Sequence, residues 1–298
     1  MFNLDILFGT GAIEALQSVL SPSIDLLFIF FAFLGEHYIY MFLIAITYWC
    51  FNKRAGVQIS YILLLSAYLN YWLKMSFKID RPPSEYRIIL NDDVSYGFPS
   101  GHSQSAVTFW GWSGLKIKKA WANIIFFALI FLVGLSRIYL RVHYPGDVLG
   151  GIIFGAVFLI VAYKAVPHLE SKLGSVPSWL RDYLAPLISV LLFGLSLAVF
   201  PDVARGNSAL ICGSLFGLSV GFSLESKRVN ISVNVNRWIK VIRSVVGLVI
   251  VFGLSLMISF VLNFLSLGAV VYVNFIKYAI LAFAIAFITP LTFKFIKK

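Results

Sequence analysis

WANIIFFALIFLVGLSRIYLRVHYPGD, residues 121–147, opens as an apolar run and closes on Ser136, Arg137, His143 and Asp147. The run approaches the roughly 20 residues that cross a bilayer. A membrane helix therefore leads straight into a cluster of cation, imidazole and carboxylate. Both halves of that pattern recur elsewhere in the chain, and together they set the class of the protein.

Apolar runs of this kind repeat over all 298 residues. The chain is 60% hydrophobic and only 12% charged, with mean hydropathy +0.89, whereas a soluble domain carries about 25% charged residues. The sequence predicts an integral membrane protein of the all-α class, because backbone in contact with lipid must satisfy its own hydrogen bonds. Nine crossings are expected: one within Ile24–Phe51, interrupted at Gly35-Glu36-His37, then about Ala55–Lys74, Ser100–Leu115, Trp121–Tyr139, Asp147–Val166, Leu184–Phe200, Ser208–Leu224, Val241–Phe264 and Ala269–Phe293. Residues 1–23 read as an amphipathic lead-in, residues 24–166 as the core that carries the chemistry, and 167–183 as a cytoplasmic linker with Pro167, Gly174 and Pro177. Residues 184–298 form a second membrane subdomain of four spans. There, Gly213-x3-Gly217-x3-Gly221 permits close helix approach.

The net charge of +11 does not indicate nucleic acid, since no basic patch interleaves with stacking aromatics on a soluble surface. The cations concentrate instead on alternate loops. Lys53, Arg54, Lys116, Lys118, Lys119, Lys164, Lys172, Arg181, Lys227, Arg228, Arg237, Lys240, Arg243, Lys294, Lys297 and Lys298 share one side, 16 of the 24 Lys and Arg. By the positive-inside rule that side is cytoplasmic. The N-terminus is then outside, the C-terminus inside, and the chemical segments face the extracytoplasmic side. Cys50 and Cys212 lie in or beside apolar spans and read as packing residues.

Three segments on that outer rim carry the chemistry: Lys74-x6-Arg81-Pro82, Pro99-Ser100-Gly101-His102, and Ser136-Arg137-x5-His143-x3-Asp147. Lys74, Arg81 and Arg137 suit phosphate oxygens, Arg as a planar fork and Lys as a point charge. Pro99-Ser100-Gly101-His102 opens an apolar helix, whose first turn offers free N–H groups to an anion. Gly101 lets a phosphate approach the backbone, and Ser100 adds a hydroxyl; Ser-Gly is also a common cap. Asp147 is placed both as N-cap and as partner of the His143 imidazole, where a carboxylate on one ring nitrogen leaves the other free to attack. No carboxylate cluster of the kind Mg²⁺ favours and no zinc-type spacing is present. Catalysis by position and charge, with no metal and no cofactor, is therefore expected.

Together these segments resemble the three-part motif of the type 2 phosphatidic acid phosphatase superfamily, membrane lipid phosphatases related to vanadium haloperoxidases. The matching positions are Lys74, Arg81, Pro82, Pro99, Ser100, Gly101, His102, Ser136, Arg137, His143 and Asp147, within about residues 36–166. The resemblance implies a six-span-type core followed by the four-span extension. It implies His143 as a nucleophile forming a phosphohistidine, Asp147 as its orienting partner and His102 as general acid. Lys74, Arg81, Ser100, Gly101 and Arg137 would be the phosphate-binding set. Gly35-Glu36, Tyr48-Trp49-Cys50 and Tyr96-Gly97-Phe98 look like prokaryotic members similar to sphingosine-phosphate phosphatases, in a cytoplasmic membrane. Glu36, Asp80, Arg87 and Arg141 receive no role. The expected partners are a lipid phosphate substrate and the bilayer, with a homodimer contact as one use for the C-terminal spans. A phosphotransferase sharing the same intermediate, and a non-catalytic phosphate-lipid binding or transport protein, are the alternatives.

Overall fold

The computed structural model describes residues 7–20, 24–83, 95–200 and 207–296. Arg87, Lys297 and Lys298 lie outside the described residues. Among those described, every regular element is a helix: α1 Gly11–Leu20, α2 Asp25–Leu34, α3 His37–Phe51, α4 Lys53–Phe77, α5 Gly101–Ile117, α6 Ala120–Tyr139, α7 Pro145–Ser175, α8 Ser178–Val199, α9 Ser208–Val229, α10 Arg237–Phe264 and α11 Val271–Phe295.

Six of these are long and apolar enough to cross a membrane, and seven if α2 and α3, bent by 52° at their break, form one span. The expected nine is not reached by that measure. The shortfall is α4 and α5: both are polar, and α5 is also short at 17 residues. Ser60, Ser66, Asn70 and Lys74 of α4 are buried, as are Ser103, Gln104 and Thr108 of α5. Both helices turn a polar face inward and lose hydropathy. The break at Gly35 falls at the expected interruption. A Cβ there would lie 2.7 Å from Val133 Cγ1, so the small residue is what lets the corner settle on α6. Pro167, expected in a loop, lies inside α7. The helix tolerates it at the loss of one backbone bond, and the chain breaks only at Val176-Pro177.

The chain divides into two compact units. The first holds residues up to Tyr40 with Leu65–His168, and it contains all three chemical segments. In it, Phe28 and Ala32 of α2 pack on Tyr139, Leu140 and Val142; the Phe28 and Tyr139 rings stack at 4.1 Å and Tyr139 Oη donates to Asp25. The second unit holds Met41–Leu64 with most of the chain after Leu169. Its α9 lies against α11 as the glycine spacing predicted: a Cβ at Gly213 or Gly217 would overlap the carbonyls of Phe275 and Ala279. This unit also buries Glu225, which accepts from Lys53 Nζ at 2.8 Å, Tyr48 Oη at 2.9 Å and the Ile231 amide at 2.8 Å.

Candidate active site

The site is assembled where α4 and α6 finish and α5 and α7 start. Ser100 caps α5, its side-chain oxygen accepting from the Ser103 amide at 3.4 Å and from Ser103 Oγ at 3.1 Å. Its own amide donates to Asp147 O at 2.9 Å, so the starts of α5 and α7 are tied backbone to backbone. The close approach is possible because Gly151 has no side chain: a Cβ there would stand 2.5 Å from Ser100 O.

At α7 the helix begins two residues earlier than expected. Pro145 takes the first helical position, which suits its fixed φ and missing N–H, and Asp147 is therefore not the N-cap. It occupies the third position and reaches back, Oδ2 accepting from the Tyr144 amide at 2.9 Å, one half of a capping box. The same Oδ2 lies 3.1 Å from His143 Nδ1. One carboxylate oxygen thus sets both the helix start and the imidazole.

His143 and Asp147 are wholly buried. His143 is delivered by a tight turn in which the amides of Val142 and His143 both donate to Arg137 O, at 3.2 and 3.3 Å. Arg141 in that turn has φ 57°, a left-handed conformation that costs an L-residue on the order of 1–2 kcal/mol. The buried neighbours Leu140 and Val142, packed on α2, hold it there. His143 Nε2 is buried and has no hydrogen-bond partner among the described residues. Burial, and then the charges of Arg81, Lys74 and Arg137, push the His143 imidazole well below its ordinary range. The ring is therefore neutral at physiological pH, with its proton on Nδ1 facing Asp147 and its lone pair on Nε2.

The cations are individually held. Lys74 Nζ donates to Tyr96 O and, at 3.4 Å, to Gly97 O. Arg81 donates from Nε to Ser95 O at 3.0 Å and from Nη2 to Ser95 Oγ at 2.9 Å. Arg137 is buried in the last turn of α6. Gly97 is squeezed between the Asp80 backbone and the dyad: a Cβ would sit 3.0 Å from both Asp147 Oδ2 and Asp80 O. Ser136, whose motif role the sequence left open, is a local brace, donating to Val133 O at 2.7 Å.

All eight predicted site residues thus belong to one unit; Gly101 lies against Asn70, whose Oδ1 would stand 3.1 Å from a Cβ there. Sequence reasoning missed the frame behind them. Asn70 Nδ2 donates to Pro99 O at 3.2 Å and to Gln104 Oε1 at 2.9 Å; Gln104 Nε2 donates to Ser66 O at 2.8 Å; and Ser66 meets Thr108 at 2.9 Å. The signal was available as two i,i+4 ladders, Ser66-Asn70-Lys74 and Ser100-Gln104-Thr108, each placing polar groups on one helix face. It also missed Glu36, whose Oε1 lies 3.1 Å from His102 Nε2. No group of three His, Cys, Asp or Glu side chains converges among the described residues; Lys74, Arg81 and Arg137 bring positive charge to bear on the His143 ring. A hollow of about 720 Å³ lies toward the other ends of α5–α7, lined by Trp110, Phe126, Leu159 and Lys164 among others; it includes none of the site residues.

Comparison with known proteins gives matches to two family descriptions. Residues 55–170 match the PAP2 superfamily, and residues 209–298 match the PAP2 superfamily phosphatase transmembrane extension. The dihydrosphingosine 1-phosphate phosphatase of Schizosaccharomyces pombe is 27% identical over 186 residues, covering 58% of this chain and 44% of that protein. Glucose-6-phosphatase 3 of Bos taurus is 26% identical over 186 residues, covering 53% of each. The chain thus spans about half the length of these curated relatives. The crystal structure of Aquifex aeolicus LpxE covers 51% of this chain and 93% of its own, at 28% identity and TM-score 0.44.

Proposed function

We propose that this chain, which carries the PAP2 superfamily domain and its transmembrane extension, is an integral membrane phosphatase that hydrolyses a lipid phosphate or diphosphate through a phosphohistidine on His143. The observation that carries the reading is the His143–Asp147 dyad: Nδ1 engaged by a buried carboxylate, Nε2 buried without a partner among the described residues, three fixed cations acting on the ring.

The steps follow from those positions. The Nε2 lone pair attacks phosphorus, the P–O bond to the leaving group breaks, and its electron pair stays on that oxygen. His102, protonated, gives the leaving oxygen its proton, a transfer typically worth about 10²–10⁴-fold. Lys74, Arg81 and Arg137, with the Ser100 hydroxyl and the Gly101 amide, hold the non-bridging oxygens and take up charge as it develops. Water then attacks the phosphohistidine, His102 recovers a proton from it, the P–N bond breaks and phosphate leaves.

Sidedness follows from charge. Within the unit that holds the site, Lys116, Lys118 and Lys119 lie where α5 ends and α6 begins, the opposite end of those helices from Gly101 and Arg137. The positive-inside rule makes the lysine end cytoplasmic and the site extracytoplasmic, at the depth where a lipid headgroup stands. Two relatives are named for a sphingoid phosphate and a sugar phosphate; a site at the rim of a bundle with apolar flanks favours the lipid.

The deciding experiment is phosphate release by purified protein in detergent, across phosphatidate, sphingoid phosphate, polyprenyl diphosphate and glucose 6-phosphate, with His143→Asn as control. Release from one lipid class that vanishes in the variant is the expected result. Release from the sugar phosphate alone, or activity surviving in His143→Asn, would overturn the proposal.

A further inference from the structure

We infer that Glu36, at the break between α2 and α3, is the positioning residue of the leaving-group acid: it holds His102 in place and stabilises the protonated form from which the ring gives up its proton. The inference rests on the reaction proposed above. The site then contains two carboxylate–imidazole pairs with opposite tasks.

The geometry is direct. Glu36 Oε1 lies 3.1 Å from His102 Nε2, a distance at which the ring N–H donates to the carboxylate. The two residues come from distant parts of the sequence, and the approach depends on local structure at both. Gly35 lets the α2–α3 corner settle against α6, with its own Cβ position 3.4 Å from His102 Cδ2. His102 stands in the first turn of α5, fixed by the Ser100 cap.

A general acid in this location has an electrostatic problem. Lys74, Arg81 and Arg137 are there to hold phosphate, and burial first, then the charges of Arg137 and Arg81, weigh against a proton on His102. A ring that has lost its proton cannot supply one. The negative charge of Glu36 is the counterweight, since an opposite charge within about 4–6 Å favours the charged form of its neighbour. Asp147 serves His143 differently, fixing the proton on Nδ1 so that Nε2 attacks as a free base. The groups facing His102 are Glu36 from the α2–α3 corner, Arg137 from α6, Arg81 from the segment after α4, and His143. Those facing Glu36 are His102, Arg137, His37, Tyr38 and Tyr40.

Leaving-group dependence separates this role from a structural one. An alkyl phosphate, such as a sphingoid or glycerolipid phosphate, departs as an alkoxide that needs a proton; p-nitrophenyl phosphate departs as a stable phenolate that does not. Glu36→Gln, which preserves size and a hydrogen-bond acceptor, is expected to lower kcat on the alkyl substrate by about 10–100-fold, a part of the roughly 10²–10⁴-fold that general-acid catalysis supplies, and on the aryl substrate by less than about threefold. KM should change little, and the alkaline limb of the kcat pH profile on the alkyl substrate should move to lower pH. His102→Asn should show the same substrate split, and the double variant should be no worse than His102→Asn, because two residues acting through one proton do not add. Glu36→Asp, which keeps the charge, should show a smaller split and covers the case in which Glu36→Gln fails to fold. Equal losses on both substrates, or losses that multiply in the double variant, would overturn the inference. His143→Asn run alongside separates the two failures. If it stays active, the phosphohistidine reading falls; if it is dead while both Glu36 variants behave as wild type, only the role of Glu36 falls.

Discussion

Replacing Asp147 by Asn separates what that residue does for the fold from what it does for the reaction. Both hydrogen bonds made by the side chain use the same oxygen: Oδ2 takes the Tyr144 amide at 2.9 Å and His143 Nδ1 at 3.1 Å, while Oδ1 has no partner among the described residues. An asparagine with its carbonyl at the Oδ2 position keeps both bonds and directs its amide into the Oδ1 position. The thermal midpoint of Asp147→Asn should therefore stay close to wild type. Asp147→Ala strips two buried donors of their acceptor, at roughly 1–3 kcal/mol each, and its midpoint should fall clearly. Catalysis should respond in the other sense to the charge. When Nε2 bonds to phosphorus the ring becomes cationic, and a carboxylate about 3 Å away stabilises that charge by roughly 5 kcal/mol at an effective dielectric near 20. An amide dipole recovers only part of this, so the loss of kcat should lie between about 10² and 10⁴-fold, each 1.36 kcal/mol being tenfold. The assay is phosphate release in detergent together with acid-quenched trapping of labelled phosphoenzyme. The reasoning is refuted if Asp147→Asn keeps near wild-type kcat, or if it melts as early as Asp147→Ala.

Three further outcomes are expected. Because burial and three cations depress His143 below its ordinary range, the unfolded chain takes up that proton first as pH falls through about 6.5, and stability should decline by up to about 1.4 kcal/mol per pH unit below that point; His143→Asn should flatten this acid slope in thermal melts by up to one proton. Gly151→Ala places a Cβ 2.5 Å from Ser100 O and should cost both stability and activity, whereas at Gly194 nothing lies within 4 Å and Ala should raise helix stability by about 0.5–1 kcal/mol; paired melts check the contrast. Phosphate release should survive EDTA, since Lys74, Arg81 and Arg137 supply the positive charge; abolition by the chelator and recovery with Mg²⁺ would refute that.

The candidate site was legible because its residues carry chemistry in themselves. A buried Arg137, or a His143 four residues before an Asp147, needs a reason, and phosphate supplies one. What could not be read was support delivered by residues that are ordinary one at a time. Asn70 and Gln104 are common polar residues until their amides are seen holding Pro99 and Ser66. Glu36 received no role because its partner lies 66 positions away. Asp147 was placed at the N-cap because Pro145-Gly146 reads as a turn, yet Pro145 is equally suited to start a helix. The same polar residues also blurred the membrane topology. Hydropathy alone cannot know that Ser66, Asn70, Gln104 and Thr108 face one another, so α4 and α5 fall short by length and composition although the sequence pattern counts both as crossings.

That pairing bears on how the protein is made. A helix leaving the ribosome is judged alone by the insertion machinery, and a lysine, an asparagine or a glutamine each weighs against its partition into lipid. The polar faces of α4 and α5 cancel only once they meet, α4 being complete some two dozen residues before α5 begins. Two of the four helices that build the reaction centre, α4 and α5, are thus less apolar than the α6 and α7 they meet. Each of the two is therefore expected to enter the bilayer more readily with the other than alone, their polar groups being satisfied in each other's company.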